Sequence, residues 1–170
     1  MELKKYKQYY QLETYLECDI YNAFHDNHFL TPEQFFAIII WKRNASKTSI
    51  KRNILDGQPS KVLLKRIKEI TSDIYQAPDN KKKLSLLLNL NCGIKLSFAS
   101  AILTILYPTE FTIYDIRARK QLCKCDLWEK VPIKKEFGTW EPLDITYKAD
   151  VVDKYFDIYL PAVKEVCKKN

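Results

Sequence analysis

Apolar residues recur along this chain at steps of three and four rather than in alternation, the pattern of helices that turn one face to a core. Leu12, Leu16, Ile20 and Phe24, with Tyr6 and Tyr9 before them, predict a first helix over residues 3–25. Thr31, Pro32 and Gln34 form the next start signal: a hydroxyl cap, a proline at the first helical position and a glutamine placed for a capping box. The run from Phe35 to Trp41 is apolar all round, so its helix is expected to be buried on most sides. Asp56 and Gly57 close a short helix, and residues 58–60 open another that reaches about Tyr75 on a stripe of Val62, Leu63, Ile67 and Ile70. Pro78, Asp79 and Asn80 turn the chain into a leucine-rich helix holding Leu84, Leu86, Leu87, Leu88 and Leu90.

Residues 89–119 are the stretch around which the rest is organised. Asn91 and Cys92 interrupt the leucines, and Gly93 supplies the positive φ that a sharp turn between two helices requires. The next helix carries Leu96, Ala99, Ile102, Leu103 and Leu106, with Ser97, Ser100 and Ala101 small enough to admit a close neighbour. It reads as a buried, central helix. After Pro108 the chain passes through Phe111 and Tyr114 to Asp115, placed to cap a helix beginning at Ile116, with Arg117 and Arg119 in its first turns. Beyond Cys125, Trp128, Pro132, Gly138, Trp140 and Pro142 predict loop or short helix. A last helix is expected from about Tyr147, presenting Val151, Val152, Tyr155, Phe156 and Tyr159, with Pro161 ending or kinking it.

The class is therefore all-α. Three glycines in 170 residues and long runs of helix formers agree with it, and 46% apolar residues suffice for the core of one compact domain. The N-terminus has no signal-peptide core and no segment approaches the roughly 18 apolar residues of a membrane span, so a cytoplasmic protein with no membrane partner is expected.

Charge is unevenly spread. The chain carries a net charge of +7, and residues 42–69 hold nine of its lysines and arginines (Lys42, Arg43, Lys47, Lys51, Arg52, Lys61, Lys65, Arg66 and Lys68) against Asp56 and Glu69 alone. Such a segment suits a polyanion, whose phosphates are neutralised without regard to sequence; a solvated charged face is the other reading. Metal chemistry has little to draw on. His25 and His28 are the two histidines and read as helix-end or loop residues, while Cys123 and Cys125 form a lone C-x-C without the four ligands of a structural zinc. The five cysteines read as reduced thiols, and no metal or cofactor is expected.

A glycine hairpin, an alanine six residues after the glycine and an aspartate 22 residues after it make the stretch resemble the helix-hairpin-helix (HhH-GPD) DNA glycosylase superfamily, the fold of the endonuclease III and 8-oxoguanine glycosylase enzymes. The hairpin positions that match are Gly93, Ile94, Lys95, Ser97 and Ala99, with the leucine displaced to Leu90. Lys95 stands where the second glycine belongs, offering a charge in place of a backbone contact. Ser97 stands where bifunctional members carry a lysine nucleophile, so a lyase step is not implied. Trp41, followed by Lys42 and Arg43, also looks like a group of uncharacterised bacterial members.

The resemblance implies a two-lobed helical fold within one domain, residues 1–170. Residues 31–107 would form a helical barrel with the hairpin, and residues 1–30 plus 108–170 the second lobe. It further implies double-stranded DNA as partner. Gly93, Ile94, Lys95, Ser97, Arg117, Arg119, Lys42 and Arg43 would lie at the DNA, Asp115 would be the catalytic carboxylate, and Trp41 and Tyr114 would line a base pocket. No iron–sulfur cluster is implied, because only Cys167 remains near the C-terminus. The function expected is base excision by a monofunctional DNA glycosylase-like hydrolase; a DNA-binding or protein-interaction module that keeps the fold without the chemistry is the alternative. Each residue keeps its plainer role: Asp115 as a cap, Gly93 as a turn, Trp41 as core, Arg117 and Arg119 as surface charge. The sequence leaves the oligomeric state open.

Overall fold

Each helix forms where its apolar spacing and its end signals coincide. The computed structural model describes residues 11–122, 133–136, 139–142 and 151–169. Helix α1 covers residues 11–27, with a π-helical stretch at Tyr15–Ile20. Leu16, Ile20 and Phe24 are buried as their spacing requires, whereas Leu12 is on the outside; Tyr6 and Tyr9 lie outside the described residues. The helix stops at His28, whose φ of 65° lets its N–H reach the Phe24 carbonyl at 2.8 Å. Both histidines have helix-end roles: His25 Nε2 bonds the Leu106 carbonyl at 2.9 Å, and His28 stacks on Tyr75 at 4.0 Å.

Helix α2 (Pro32–Arg43) opens on the expected capping box, Thr31 N–H to Gln34 Oε1 at 2.9 Å and Gln34 N–H to Thr31 Oγ1 at 3.4 Å. Phe35, Ile38 and Ile39 are buried and only Ile40 of the apolar run is exposed. After a 3₁₀ turn at Asn44–Ser46 comes α3 (Lys47–Leu55), ended by two left-handed residues, Asp56 at φ 47° and Gly57 at φ 76°. Helix α4 (Leu63–Gln76) buries Ile67, Thr71 and Ile74, and α5 (Asn80–Leu88) starts at Asp79, whose carboxylate accepts the Lys82 N–H at 2.7 Å.

Helix α6 (Leu96–Leu106) is the centre: eight of its 11 residues are buried, with α2, α5 and α1 packed on it. A short helix, α7 (Ile116–Leu122), follows. Where the turn residues suggested loop or short helix, the chain instead forms an antiparallel β-hairpin, β1 (Ile133–Glu136) against β2 (Thr139–Pro142), with Ile133 opposite Pro142 and Glu136 opposite Thr139. Ile, Thr and Trp favour extended backbone, and a proline at a strand's end gives up no interior ladder bond. Cys123, Cys125, Trp128, Pro132, Gly138 and Tyr147 lie outside the described residues.

The last helix, α8 (residues 151–169), does not end at Pro161. A π-helical stretch at Tyr155–Tyr159 immediately precedes the proline, and helix resumes over Leu160–Lys169. The wider turn changes the hydrogen-bond register just where Pro161 has no N–H to donate. The regular elements among the described residues are thus helices apart from the one β-hairpin. A continuous core runs from Leu16 of α1 through Ile38, Ile67, Leu84 and Ile102 to Tyr155 and Tyr159 of α8. No helix among the described residues is long and apolar enough to cross a membrane.

Inside this core Thr71 is fully buried, takes the Leu30 N–H at 2.9 Å and donates to the Ile67 carbonyl at 2.7 Å. Thr71→Val keeps the shape but orphans a buried N–H, so it is expected to lower unfolding free energy by about 1–3 kcal/mol in urea titration; Thr71→Ser, which keeps the oxygen, should lose less.

Candidate nucleic-acid interface and carboxylate site

The hairpin between α5 and α6 works by alternation. Cys92 and Ile94 point into the core, the latter 4% exposed, while Asn91, Gly93 and Lys95 face out. Two residues take positive φ, Asn91 at 49° and Gly93 at 83°, and these reverse the chain. Gly93 was legible in sequence, and Asn91, the residue type that best tolerates this region after glycine, shares its task. Ile94 anchors the loop, so its side chain offers nothing to a ligand. Burial pushes the Cys92 thiol above its ordinary value, which makes it a packing group rather than a nucleophile. Lys95 stands at the start of α6 without capping it by side chain, and its carbonyl takes the Phe98 and Ala99 N–H groups at 2.9 and 3.0 Å. Ser97 is half-buried in the first turn.

Further along α6, Ser100 is fully buried and its Oγ accepts the Tyr114 N–H at 2.9 Å. That bond begins a clamp on the segment 111–115, which is neither helix nor strand. The Tyr155 hydroxyl accepts the Thr112 N–H at 2.9 Å and donates to the Thr112 carbonyl at 2.5 Å, and the Tyr159 hydroxyl donates to the Ile113 carbonyl at 2.7 Å. Burial pushes the Tyr155 phenol up to about 12, and Tyr159 also upward, so both stay protonated donors.

The clamped segment delivers Asp115 to the start of α7. Its Oδ1 accepts the Arg117 N–H at 2.8 Å as a cap, and its Oδ2 accepts from Lys42 Nζ, at the end of α2, at 2.8 Å. The lysine side chain is 12% exposed and the carboxylate 35%. The Lys42 hydrogen bond holds the Asp115 carboxyl below its ordinary value, with the Arg117 N–H and the Lys42 and Arg117 charges acting in the same sense against partial desolvation. The site is an ionised carboxylate that faces solvent on one side and a shielded ammonium on the other.

The remaining expected residues divide by exposure. Arg43 and Arg117 are exposed and open to a polyanion. Lys42 is not, because Asp115 takes its charge. Arg119 is half-buried, with one guanidinium nitrogen 3.0 Å from the Tyr114 hydroxyl. Tyr114 is 5% exposed and packed on Tyr159 at 4.8 Å, so it belongs to the core and not to an open pocket. Trp41 is half-buried against the core, its indole N–H 3.4 Å from Glu13. A cavity of about 390 Å³ lies between the hairpin, α3 and α4; Asn53, Asp56, Arg66, Asp73 and Asn91 line it, and Asp115 does not. Among the described residues no cluster of His, Cys, Asp and Glu is arranged to hold a metal ion.

The tyrosine clamp and the Lys42 contact escaped the sequence reading. Lys42 and Asp115 are 73 positions apart, beyond any local pattern. Tyr155 and Tyr159 were legible as a helix face, but not as donors. In comparisons with known proteins, no family model, no curated protein and no solved structure matches this chain.

Two outcomes are expected here. Lys42→Met should raise the Asp115 pKa, read from its carboxyl carbon in an NMR titration; an unchanged value would mean that the pair does not form in solution. The sign for stability follows: a depressed folded-state pKa stabilises the protein above the ordinary aspartate value, about 3.9, and the contribution is lost as pH falls through the folded value. Lys42→Met should therefore flatten that part of the acid unfolding curve. Separately, Gly93→Ala puts a side chain at φ 83° and should cost about 1–2 kcal/mol in denaturant unfolding, from backbone strain alone, since the added Cβ meets only Asn53 Nδ2 at 3.6 Å.

Proposed function

We propose that this protein binds double-stranded DNA and acts as a monofunctional glycosylase-like hydrolase on the N-glycosidic bond of a damaged or modified base. The observation that carries the reading is Asp115, ionised and partly exposed, fixed at the start of a helix by three clamping side chains, and following by 22 residues a glycine with the positive φ that the motif demands.

An ionised carboxylate close to the sugar favours the positive charge that develops on it as the base departs. Because Lys42 weakens Asp115 as a base, that electrostatic task suits it better than full proton abstraction from water. The departing base is reached by extrusion from the duplex, and hydrolysis of this kind draws on no cofactor. Ser97, at the lysine position of bifunctional members, agrees with hydrolysis in place of a covalent imine.

A second reading has a specific observation in its favour: both Asp115 oxygens are already engaged, and Asp115 does not line the cavity of about 390 Å³ beside the hairpin. Under it the protein binds DNA without excising a base.

Incubation of the protein with duplexes that each carry one modified base, followed by alkali to break abasic sites, separates the two. Excision by the parent protein and its loss by at least 100-fold in Asp115→Asn, with DNA affinity kept, is the expected result. Intact excision in Asp115→Asn would remove the carboxylate from the reaction, and salt-sensitive binding without any excision would support the second reading.

A further inference from the structure

We infer that phosphates of the DNA are held by a cationic track around the junction of α3 and α4, with Lys51, Arg52, Lys65 and Arg66 as the contacting groups. This inference rests on the DNA reading above and names the surface by which the duplex is gripped.

Three observations lead to it. First, two of the cations around Asp115 are engaged within the fold, Lys42 with the carboxylate and Arg119 with Tyr114, which leaves Arg117 exposed there. Within the basic segment, where Lys42 is taken by Asp115, phosphate neutralisation falls to the exposed members.

Second, four exposed members of that segment, Lys51, Arg52, Lys65 and Arg66, border depressions that share lining residues. One, of about 280 Å³, is lined by Thr48, Lys51, Arg52 and Gln58 and by no acidic residue. The next, of about 200 Å³, shares Gln58 and is lined by Lys65, Arg66 and Glu69. Arg66 and Glu69 also border the large cavity that ends at Asn91 of the hairpin. Shared lining residues link the three, Gln58 joining the first to the second and Arg66 and Glu69 the second to the third.

Third, these cations remain available. Lys51 and Arg52 are exposed and make no ion pair among the described residues, while Lys65 and Arg66 lie 3.9 and 4.0 Å from Glu69 in pairs that are half-exposed or more. Long, solvated pairs of this kind are worth little, so a phosphate competes for them easily. The hairpin end of the track has a different character. Asp56 and Asp73 repel phosphate there, and Asn53 and Asn91 offer amides. Phosphate is therefore assigned to the first two depressions.

The test is the dependence of duplex affinity on salt, for which each phosphate neutralised adds about 0.9 to the slope of log K against log salt. Parent protein is compared with Lys51→Gln/Arg52→Gln, with Lys65→Gln/Arg66→Gln, and with the control Lys164→Gln/Lys168→Gln, which removes the same charge from exposed positions of α8. Circular dichroism melting checks that each variant is folded. The expected result is a slope reduced by about 2 in each track variant, equally on unrelated sequences, with the control unchanged. A parent protein without salt-sensitive duplex binding overturns the DNA reading itself and this inference with it. A parent that binds, with track variants that keep its slope, overturns the track and leaves the DNA reading standing. An equal loss in the control also overturns the track, because net charge then accounts for the effect.

Discussion

A helix with eight of 11 residues buried can exist only if other elements cover it on nearly every side, and α6 imposes that condition on this chain. Burying a large aliphatic side chain is worth about 1.5–3 kcal/mol, so Leu96, Ile102, Leu103 and Leu106 together outweigh any local preference of the segments laid over them. Its small residues set how closely those segments approach. Ala99 and Ala101 are buried without bulk, and Ser100 leaves room for the segment that carries Asp115. The histidine at the end of α1 meets the far end of the same helix through the Leu106 carbonyl.

The segment 111–115 poses the problem that follows. Backbone that is neither helix nor strand lacks the regular ladder of partners, yet its N–H and C=O groups still need them. Ser100, Tyr155 and Tyr159 supply them from α6 and α8, which makes the C-terminal helix a condition for the position of Asp115. The Lys42 contact adds a tie between the ends of α2 and α7. A partly shielded ion pair contributes little net stability, but it fixes which groups meet. Its consequence here is electrostatic: the carboxylate keeps its charge at neutral pH, and the lysine is withdrawn from the surface.

That withdrawal divides the basic residues into two populations. Lys42 and Arg119 act within the fold, where their charge shapes the Asp115 site and the tyrosine pair. Lys51, Arg52, Lys65 and Arg66 act outward from two helices whose inner faces hold Ile50, Ile54, Ile67 and Ile74. Their exposure follows from amphipathic periodicity, since the same spacing that buries the isoleucines turns the cations to solvent.

Local signals in the sequence were enough for the helices, for the capping box at Thr31, the stop at Asp56 and Gly57, the turn at Gly93, and the cap at Asp115. Each depends on atoms within four or five residues, so composition and spacing determine it. The β-hairpin at Ile133–Glu136 and Thr139–Pro142 ran against local expectation, because a pairing strand offsets what single residues disfavour, and of the two outcomes open at Pro161, an end or a kink, the helix does not end. What only the tertiary structure decided is partnership: that Lys42 faces Asp115, that Tyr114 is sealed against Tyr159, and that two tyrosines of the last helix hold the carboxylate's segment. These contacts span from 43 to 73 positions, and a hydrogen bond or ion pair depends on the distance between atoms in space, which packing around α6 sets and sequence spacing does not.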